Sequence, residues 1–248
     1  MKILLNGALG RMGRCLADYV AAQPDCTVAA GVDRGGRPPG LPFPIYSDIK
    51  EVPQSADVLI DFSSPLCAQR AMLYCAAARL PCVICTTGLG ASALHTMNFC
   101  AQEIPLFNSA NMSLCVNLMQ ELCRMAAEVL GTGYAVDIVE KHHGAKLDAP
   151  SGTALALADA MNRGGDYSIC TEAQSTVPRQ EEEIVLHSLR GGNLAGEHEV
   201  QFSGQNEILR ISHTAFNRDV FAVGALAAAR YLIGQKPGLY NMKDLIKK

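Results

Sequence analysis

The stretch Ile3-Leu4-Leu5-Asn6-Gly7-Ala8-Leu9-Gly10-Arg11-Met12-Gly13 decides the fold. A short apolar run reads as a buried strand, it enters a turn with three glycines, and an amphipathic helical stretch follows over residues 14–22. Glycines at a strand-to-helix turn allow a tight bend and close backbone approach, so a diphosphate can rest on N–H groups at the positive end of the helix. The spacing is GxxGxxG rather than GxGxxG, and taken alone it equally suits a tight turn that binds nothing. Its surroundings favour the dinucleotide. Residues 26–33 read as a second strand ending on Asp33, about twenty residues past the glycines, where a carboxylate is needed to hold an adenosine ribose. Arg34 comes next; its guanidinium suits a 2′-phosphate or an adenine face, and its alternative is an ordinary solvated loop charge. A carboxylate favours NADH and an adjacent Arg NADPH, so Asp33 and Arg34 together predict a site that accepts both.

Working outward, short apolar strands alternate with helices, the rhythm of a parallel sheet covered on both faces. The Gly- and Pro-rich residues 34–44 form a loop, and residues 57–62 a buried strand. Ser64 suits an N-cap and Pro65 a first helical position, for a helix that runs to about Arg79. A strand over 82–86, a helix over 92–103 and a strand over 106–108 complete this half. Beyond Asn111-Met112-Ser113 the pattern changes to a long helix over 114–130, an alternating strand over 135–140 and a helix over 153–162 with Leu155, Ala158 and Met161 on one face. Alternating strands over 184–189, 198–202 and 208–213 suggest an open mixed or antiparallel sheet, a shape that invites a partner subunit. The Ala-rich helix over 218–233 returns to the first half. The expected architecture is α/β: a Rossmann-type dinucleotide-binding domain from residues 1–112 and 218–248, and an α+β domain with an open mixed sheet, 113–217, for substrate binding and oligomerisation.

Composition narrows the function classes. With 21 Lys and Arg against 24 Asp and Glu, net charge −3, and basic residues scattered, nothing compensates nucleic-acid phosphates. No apolar run reaches the length of a membrane span and the first residues lack a signal-peptide core, so a cytoplasmic protein working on small molecules is expected. Ten cysteines without a secretory context point to reduced thiols. The one CxxC, Cys82 to Cys85, lies in a β-branched run and reads as core filling rather than a redox or zinc pair.

The chemistry concentrates in residues 140–153. His142, His143 and Lys146 place two imidazoles and an ammonium within five residues, a dense supply of proton donors. No metal is expected, because adjacent strand histidines face opposite ways and no third soft ligand is close in sequence. Ser151 suits the N-cap of the following helix. That cap is sufficient reason for the residue, yet Gly152 and the Thr153 hydroxyl at the same helix start would also present donors to a carboxylate.

The run His142-His143-x-x-Lys146-x-Asp148-Ala149-Pro150-Ser151-Gly152-Thr153 closely resembles the signature of the 4-hydroxy-tetrahydrodipicolinate (dihydrodipicolinate) reductase family. The segments Gly7 to Gly13, Thr86-Thr87-Gly88, Asn111-Met112-Ser113 and Arg190 to His198 resemble the same family in the same order, over essentially the whole chain. The resemblance implies a two-domain subunit, usually a homotetramer, that reduces 4-hydroxy-2,3,4,5-tetrahydrodipicolinate, a small dicarboxylate, with NADH or NADPH in lysine and diaminopimelate biosynthesis. It implies that Gly7, Ala8, Leu9, Gly10, Arg11 and Met12 hold the diphosphate, and Asp33 and Arg34 the adenosine ribose or its phosphate. Cys85, Thr86, Thr87, Ser109, Ala110, Asn111 and Met112 would hold the nicotinamide side. His142 and Lys146 would exchange protons, and His143, Gly152 and Thr153 would bind substrate carboxylates. Arg218 would contact the cofactor or lie at the domain hinge. The chain departs from the family at Cys85, where Gly is usual, at Met112, where an aromatic is common, and at Gly144, in place of a frequent Arg or Asn. Two rival readings remain at this point: another two-domain reductase, such as one acting on aspartate, and a dinucleotide-sensing protein without turnover. Neither has a reason to carry Lys146 together with residues 149–153.

Overall fold

The computed structural model describes residues 1–36, 38, 40–53, 55–162, 164–171, 180 and 182–246. The chain forms two compact units, Met1–Leu114 with Arg218–Lys248, and Cys115–Asn217. In chain order the elements are β1 (Lys2–Asn6), α1 (Arg11–Ala21), β2 (Thr27–Val32), β3 (Ile45–Tyr46), β4 (Val58–Asp61), α2 (Pro65–Ala78), β5 (Cys82–Ile84), α3 (Ala91–Cys100) and β6 (Pro105–Asn108). They continue with α4 (Leu114–Leu130), β7 (Ala135–His142), α5 (Gly152–Met161), β8 (Ser168–Cys170), β9 (Glu183–Arg190), β10 (Gly196–Ser203) and β11 (Ile208–Ala215). The last are α6 (Asp219–Leu232), β12 (Gly238–Tyr240) and α7 (Met242–Ile246).

In the first unit a seven-stranded sheet runs β12-β6-β5-β4-β1-β2-β3, with every pairing parallel. Period-two alternation divides its side chains between two cores. Ile3, Leu5, Val58 and Ile60 pack with Leu16 and Val20 of α1 and with Ala225 and Leu226 of α6. On the other face Leu4 and Leu59 pack with Met72 of α2 and Met97 of α3. The helix after the glycine turn starts at Arg11, earlier than its apolar pattern suggests, because Gly10 takes the N-cap position and Gly13 is already inside the helix. The edge strands β3 and β12 were not anticipated; at two and three residues they are too short to show a period.

The second unit holds a mixed five-stranded sheet, β11-β10-β7-β9-β8, in which β7 pairs antiparallel to β10 and parallel to β9. One face, through Val136, Ile138, Ile184, Leu186, Val200 and Phe202, packs on Met119 and Cys123 of α4 and Leu157 and Met161 of α5. The short strand β8 was not foreseen. Leu155 does not share the buried face with Ala158 and Met161: it is 39% exposed, and Ala154 and Leu157 take its place. Gly152–Met161 is apolar nearly all round, so its pattern could not fix the phase. No described helix is long and apolar enough to cross a membrane.

Candidate active site

In the first unit the strand order reverses at β1, which lies between β4 and β2, and a crevice opens at the carboxyl ends of such strands. The glycine turn fills its floor. Gly7 has φ +79°, and a Cβ there would lie 2.5 Å from the Phe62 carbonyl oxygen; one on Gly13 would lie 2.1 Å from the Gly7 oxygen. The backbone therefore approaches closer than any side chain would permit, and the first N–H groups of α1, which have no carbonyl partner within the helix, lie at the crevice. Leu9 N–H donates to Asp33 Oδ2 at 2.9 Å and Gly35 N–H to Oδ1 at 3.2 Å. Asp33 thus braces the loop with lone pairs to spare.

A cavity of about 340 Å³ is lined by Gly7, Gly10, Asp33, Arg34, Ser63 and Arg70, among others. A second, of about 450 Å³, is lined by Arg11, Met12, Cys85, Thr86, Thr87 and Met112, with Ala110 and Arg218 also on its wall. The glycine cradle, a helix start and the Asp33–Arg34 pair fit a nicotinamide dinucleotide, with the sequence-predicted ribose residues in the first cavity and most of the nicotinamide-side residues in the second. Ala8, Leu9, Ser109 and Asn111 line neither. Ala8 is buried in the core, and Ser109 and Asn111 shape their own loop through the Ser109 hydroxyl, which donates to the Asn111 carbonyl at 2.7 Å.

One further residue lines this crevice and another braces its wall from behind, and neither was foreseen. Arg70 of α2 shares the first cavity with Arg34. Asp61, fully buried at the end of β4, accepts from Asn6 Nδ2 at 2.7 Å, the Ser63 hydroxyl at 2.5 Å and the Thr86 hydroxyl at 2.6 Å. Burial raises its pKa while those three donors oppose the rise. A carboxylate closing an otherwise apolar strand is the signal that marks it. Burial also raises the Cys82 and Cys85 thiols well above their ordinary range, which leaves both as core residues.

In the second unit β7 runs on through His142, so the alternation that buries Val136 and Ile138 also turns Glu140 and His142 inward. Glu140 is wholly inaccessible, His142 8% and His198 4% exposed. Arg190 donates to both Glu140 oxygens, from Nη1 at 2.9 Å and Nη2 at 2.6 Å, and the Ser188 hydroxyl donates at 2.7 Å. His142 Nδ1 lies 2.5 Å from Glu140 Oε2. Burial alone would raise the Glu140 carboxyl, but the bonds from Arg190, Ser188 and His142 hold it down at about 2. Burial lowers the pKa of His142, against the pull of Glu140. Burial and the neighbouring His142 ring push His198 down to about 4.

Glu140, His142 and His198 offer ligand atoms within 4.8 Å of one another, a third ligand the sequence hid because His198 arrives from β10. Both carboxylate oxygens are already engaged by a guanidinium, so a cation would have to displace a like charge.

The turn after His142 carries the rest. Lys146 Nζ pairs with Asp148 Oδ1 at 2.9 Å, and the Ala149–Pro150 peptide is cis. Ser151 caps α5, accepting from Ala154 N–H at 3.2 Å, and its hydroxyl lies 3.1 Å from His198 Nε2. Ser151 is therefore a structural cap, as the simpler reading had it. Gly152 follows at the first helical position, where a Cβ would meet nothing within 4 Å, so the helix start stands open to an anion. His143, half-buried, donates its backbone N–H to Leu194 O at 2.9 Å, and Gly144 borders open space.

Comparison with known proteins covers both units. The family descriptions "Dihydrodipicolinate reductase, N-terminus" and "Dihydrodipicolinate reductase, C-terminus" match residues 1–112 and 115–246. The chain is 46% identical over 254 aligned residues to the 4-hydroxy-tetrahydrodipicolinate reductase of Caldanaerobacter subterraneus subsp. tengcongensis, covering 100% of this chain and 99% of that protein. To the Clostridium novyi enzyme of the same name it is 38% identical, covering 99% and 98%. Among solved structures, the dipicolinate-bound dihydrodipicolinate reductase from Paenisporosarcina sp. TG-14 superposes with a TM-score of 0.83 at 20% identity, over 98% of each chain, a likeness of fold.

Proposed function

The chain belongs to the dihydrodipicolinate reductase family, and we propose that the two sites just described divide that family's reaction between them. The protein is an NAD(P)H-dependent oxidoreductase of lysine and diaminopimelate biosynthesis. It converts 4-hydroxy-2,3,4,5-tetrahydrodipicolinate to tetrahydrodipicolinate with release of water. The observation that carries the division of labour is that each unit pairs an open helix start with charged groups. In the first, α1 stands over the glycine turn beside Asp33 and Arg34; in the second, α5 begins at Gly152, and the N–H of the preceding Ser151 binds the same carboxylate that holds His142.

Bound nicotinamide supplies the hydride. In this reading Gly7, Gly10, Arg11 and Met12 receive the diphosphate, Asp33 and Arg34 the adenosine ribose or its 2′-phosphate, and Cys85, Thr86, Thr87, Ala110 and Met112 the nicotinamide side. Ala8, Leu9, Ser109 and Asn111 shape those loops from behind. Gly152 and Thr153, with His143, grip the substrate carboxylates. Departure of the hydroxyl requires a proton, and so does the charge pushed onto the conjugated ring system by reduction. His142 and Lys146 are the groups placed to supply them.

The same reading has the enzyme acting in the cytoplasm as a homotetramer built through the second unit's sheet, whose face away from α4 and α5 carries Val139 and a half-exposed Leu189. Sedimentation equilibrium is expected to give the mass of four chains; a monomer at working concentration would overturn the assembly.

The activity is tested by coupling a dihydrodipicolinate synthase to oxidation of NADH or NADPH. Turnover is expected with at least one of them, and oxidation of neither, which a dinucleotide sensor or an aspartate-directed reductase would give, would sink the reading. In that assay Arg34→Ala is expected to lower kcat/KM for NADPH roughly tenfold or more, and that for NADH much less. Equal losses would refute contact with a 2′-phosphate.

A further inference from the structure

We infer that Glu140, clamped by Arg190 and Ser188, is the positioning residue for His142, fixing Nδ1–H toward the carboxylate and leaving Nε2 as the nitrogen that works on substrate. The inference rests on the reading that His142 carries a proton in the reaction, and it assigns the tautomer and the groups that enforce it.

The strand register builds the arrangement. On β9, Ser188 stands opposite Glu140 and Arg190 opposite His142. On β10, His198 stands opposite Glu140 from the other side. Four donors converge on one buried carboxylate, two from Arg190, the Ser188 hydroxyl and the Ser151 backbone N–H at 3.1 Å, and His142 Nδ1 lies 2.5 Å from its Oε2. A protonated carboxyl would turn a hydrogen into that ring of donors, so the group stays ionised. An ionised carboxylate can only accept. Nδ1 must therefore carry hydrogen, and in neutral His142 the lone pair lies on Nε2.

A glycine relieves crowding at that second nitrogen. A Cβ on Gly196 of β10 would come within 3.0 Å of His142 Nε2, and the glycine removes it. The His198 ring meets the His142 ring edge-on at 5.2 Å between centroids, which restricts rotation of the imidazole. Glu140 also ties the two halves of the segment together. Its bond to Ser151 N–H holds the start of α5, while Arg190 Nη2 reaches the Asp148 carbonyl at 2.6 Å. One carboxylate thus orients the proton carrier and anchors the helix start beside it.

The charged and titratable groups around His142 are Glu140 on its own strand, Lys146 in the following turn, Arg190 on β9 and His198 on β10. Glu140 raises the pKa of His142, while burial, Lys146 and Arg190 lower it. With the carboxylate neutralised, the influence that raises it is lost while burial, Lys146 and Arg190 still lower it. The limb of the kcat–pH profile that belongs to His142 must then move to lower pH, whether the ring acts as acid or base.

The test is Glu140→Gln, assayed for kcat, KM and pH profile with NADPH, alongside His142→Asn. The expected result is a fall in kcat of roughly 10²-fold or more, an unchanged NADPH KM, and a limb displaced to lower pH. A Glu140→Gln enzyme with full kcat and an unmoved limb, beside an inactive His142→Asn, would overturn the positioning role alone. Full activity in His142→Asn would overturn it by removing the proton role beneath it. Because the Gln amide places donors against donors and could unfold the unit, ¹⁵N NMR of the unaltered enzyme decides independently, with the His142 signals assigned by their loss in the Asn variant. Neutral His142 is expected with hydrogen on Nδ1. Hydrogen on Nε2 would refute the inference.

Discussion

Replacing His142 or Lys146 by Ala is expected to lower turnover roughly 10²- to 10⁴-fold while the dissociation constant for NAD(P)H stays within about twofold. The expectation follows from where the two residues lie. Both belong to the second unit, whereas the glycine turn, Asp33 and the two crevice cavities are built entirely from the first. His142 is held by Glu140 and Lys146 by Asp148, and neither side chain supports a hydrophobic core, so the Ala variants should fold. An effect confined to kcat marks a group needed only as the reaction proceeds; a rise in KM alone would mean uniform binding. NADPH titrated by fluorescence, beside steady-state turnover, separates the outcomes. Cofactor affinity lost in proportion to turnover would count against proton transfer by either residue.

Gly13→Ala is the second large effect, and it has the opposite signature. The new Cβ would lie 2.1 Å from the Gly7 oxygen and 2.8 Å from the Ala8 carbonyl carbon and oxygen, all backbone atoms that cannot rotate away. Either α1 moves off the turn or the turn opens, and each displaces the N–H groups that a diphosphate would use. A cost of about 1–3 kcal/mol to the first unit is expected from overpacking, together with roughly tenfold or greater loss of NAD(P)H affinity. Thermal unfolding and cofactor titration would show both. Gly133→Ala serves as the comparison, since a Cβ there meets nothing within 4 Å, and it should change neither quantity appreciably. Unaltered cofactor affinity in Gly13→Ala would mean that the turn is a packing device and that the diphosphate rests elsewhere.

Much of this was legible without coordinates because it is local. The glycine turn, Asp33 at the end of β2 and Ser151 at the head of α5 each follow from backbone chemistry within a few residues, and the structure places them accordingly. Legibility failed where a pattern was uniform or too short. Gly152–Met161 is nearly all apolar, so Leu155 could not be told from Leu157; β3 and β12 are shorter than one readable period. Arg70 looked like any helical surface charge until the fold set it on the wall shared with Arg34. Asp61 gave a signal, a carboxylate ending an apolar strand, but not its three partners.

By itself the sequence pointed to the class of reaction through its resemblance to one family, because a glycine turn and a segment dense in proton donors are each written contiguously. It could not determine how His142 is held. Glu140 is near in sequence, but Ser188, Arg190 and His198 lie on other strands, between 46 and 58 residues along the chain from Glu140 and His142. Nothing local specifies that β7 pairs parallel with β9 and antiparallel with β10, nor in which register. Strand pairing is a long-range choice made by burial of the whole face, since a slip of one residue would turn Glu140 out to solvent. Only once the sheet closes does a guanidinium meet that carboxylate and the carboxylate meet the imidazole. The sequence thus supplied the imidazole proposed to carry a proton, and tertiary structure decided which groups engage its Nδ1.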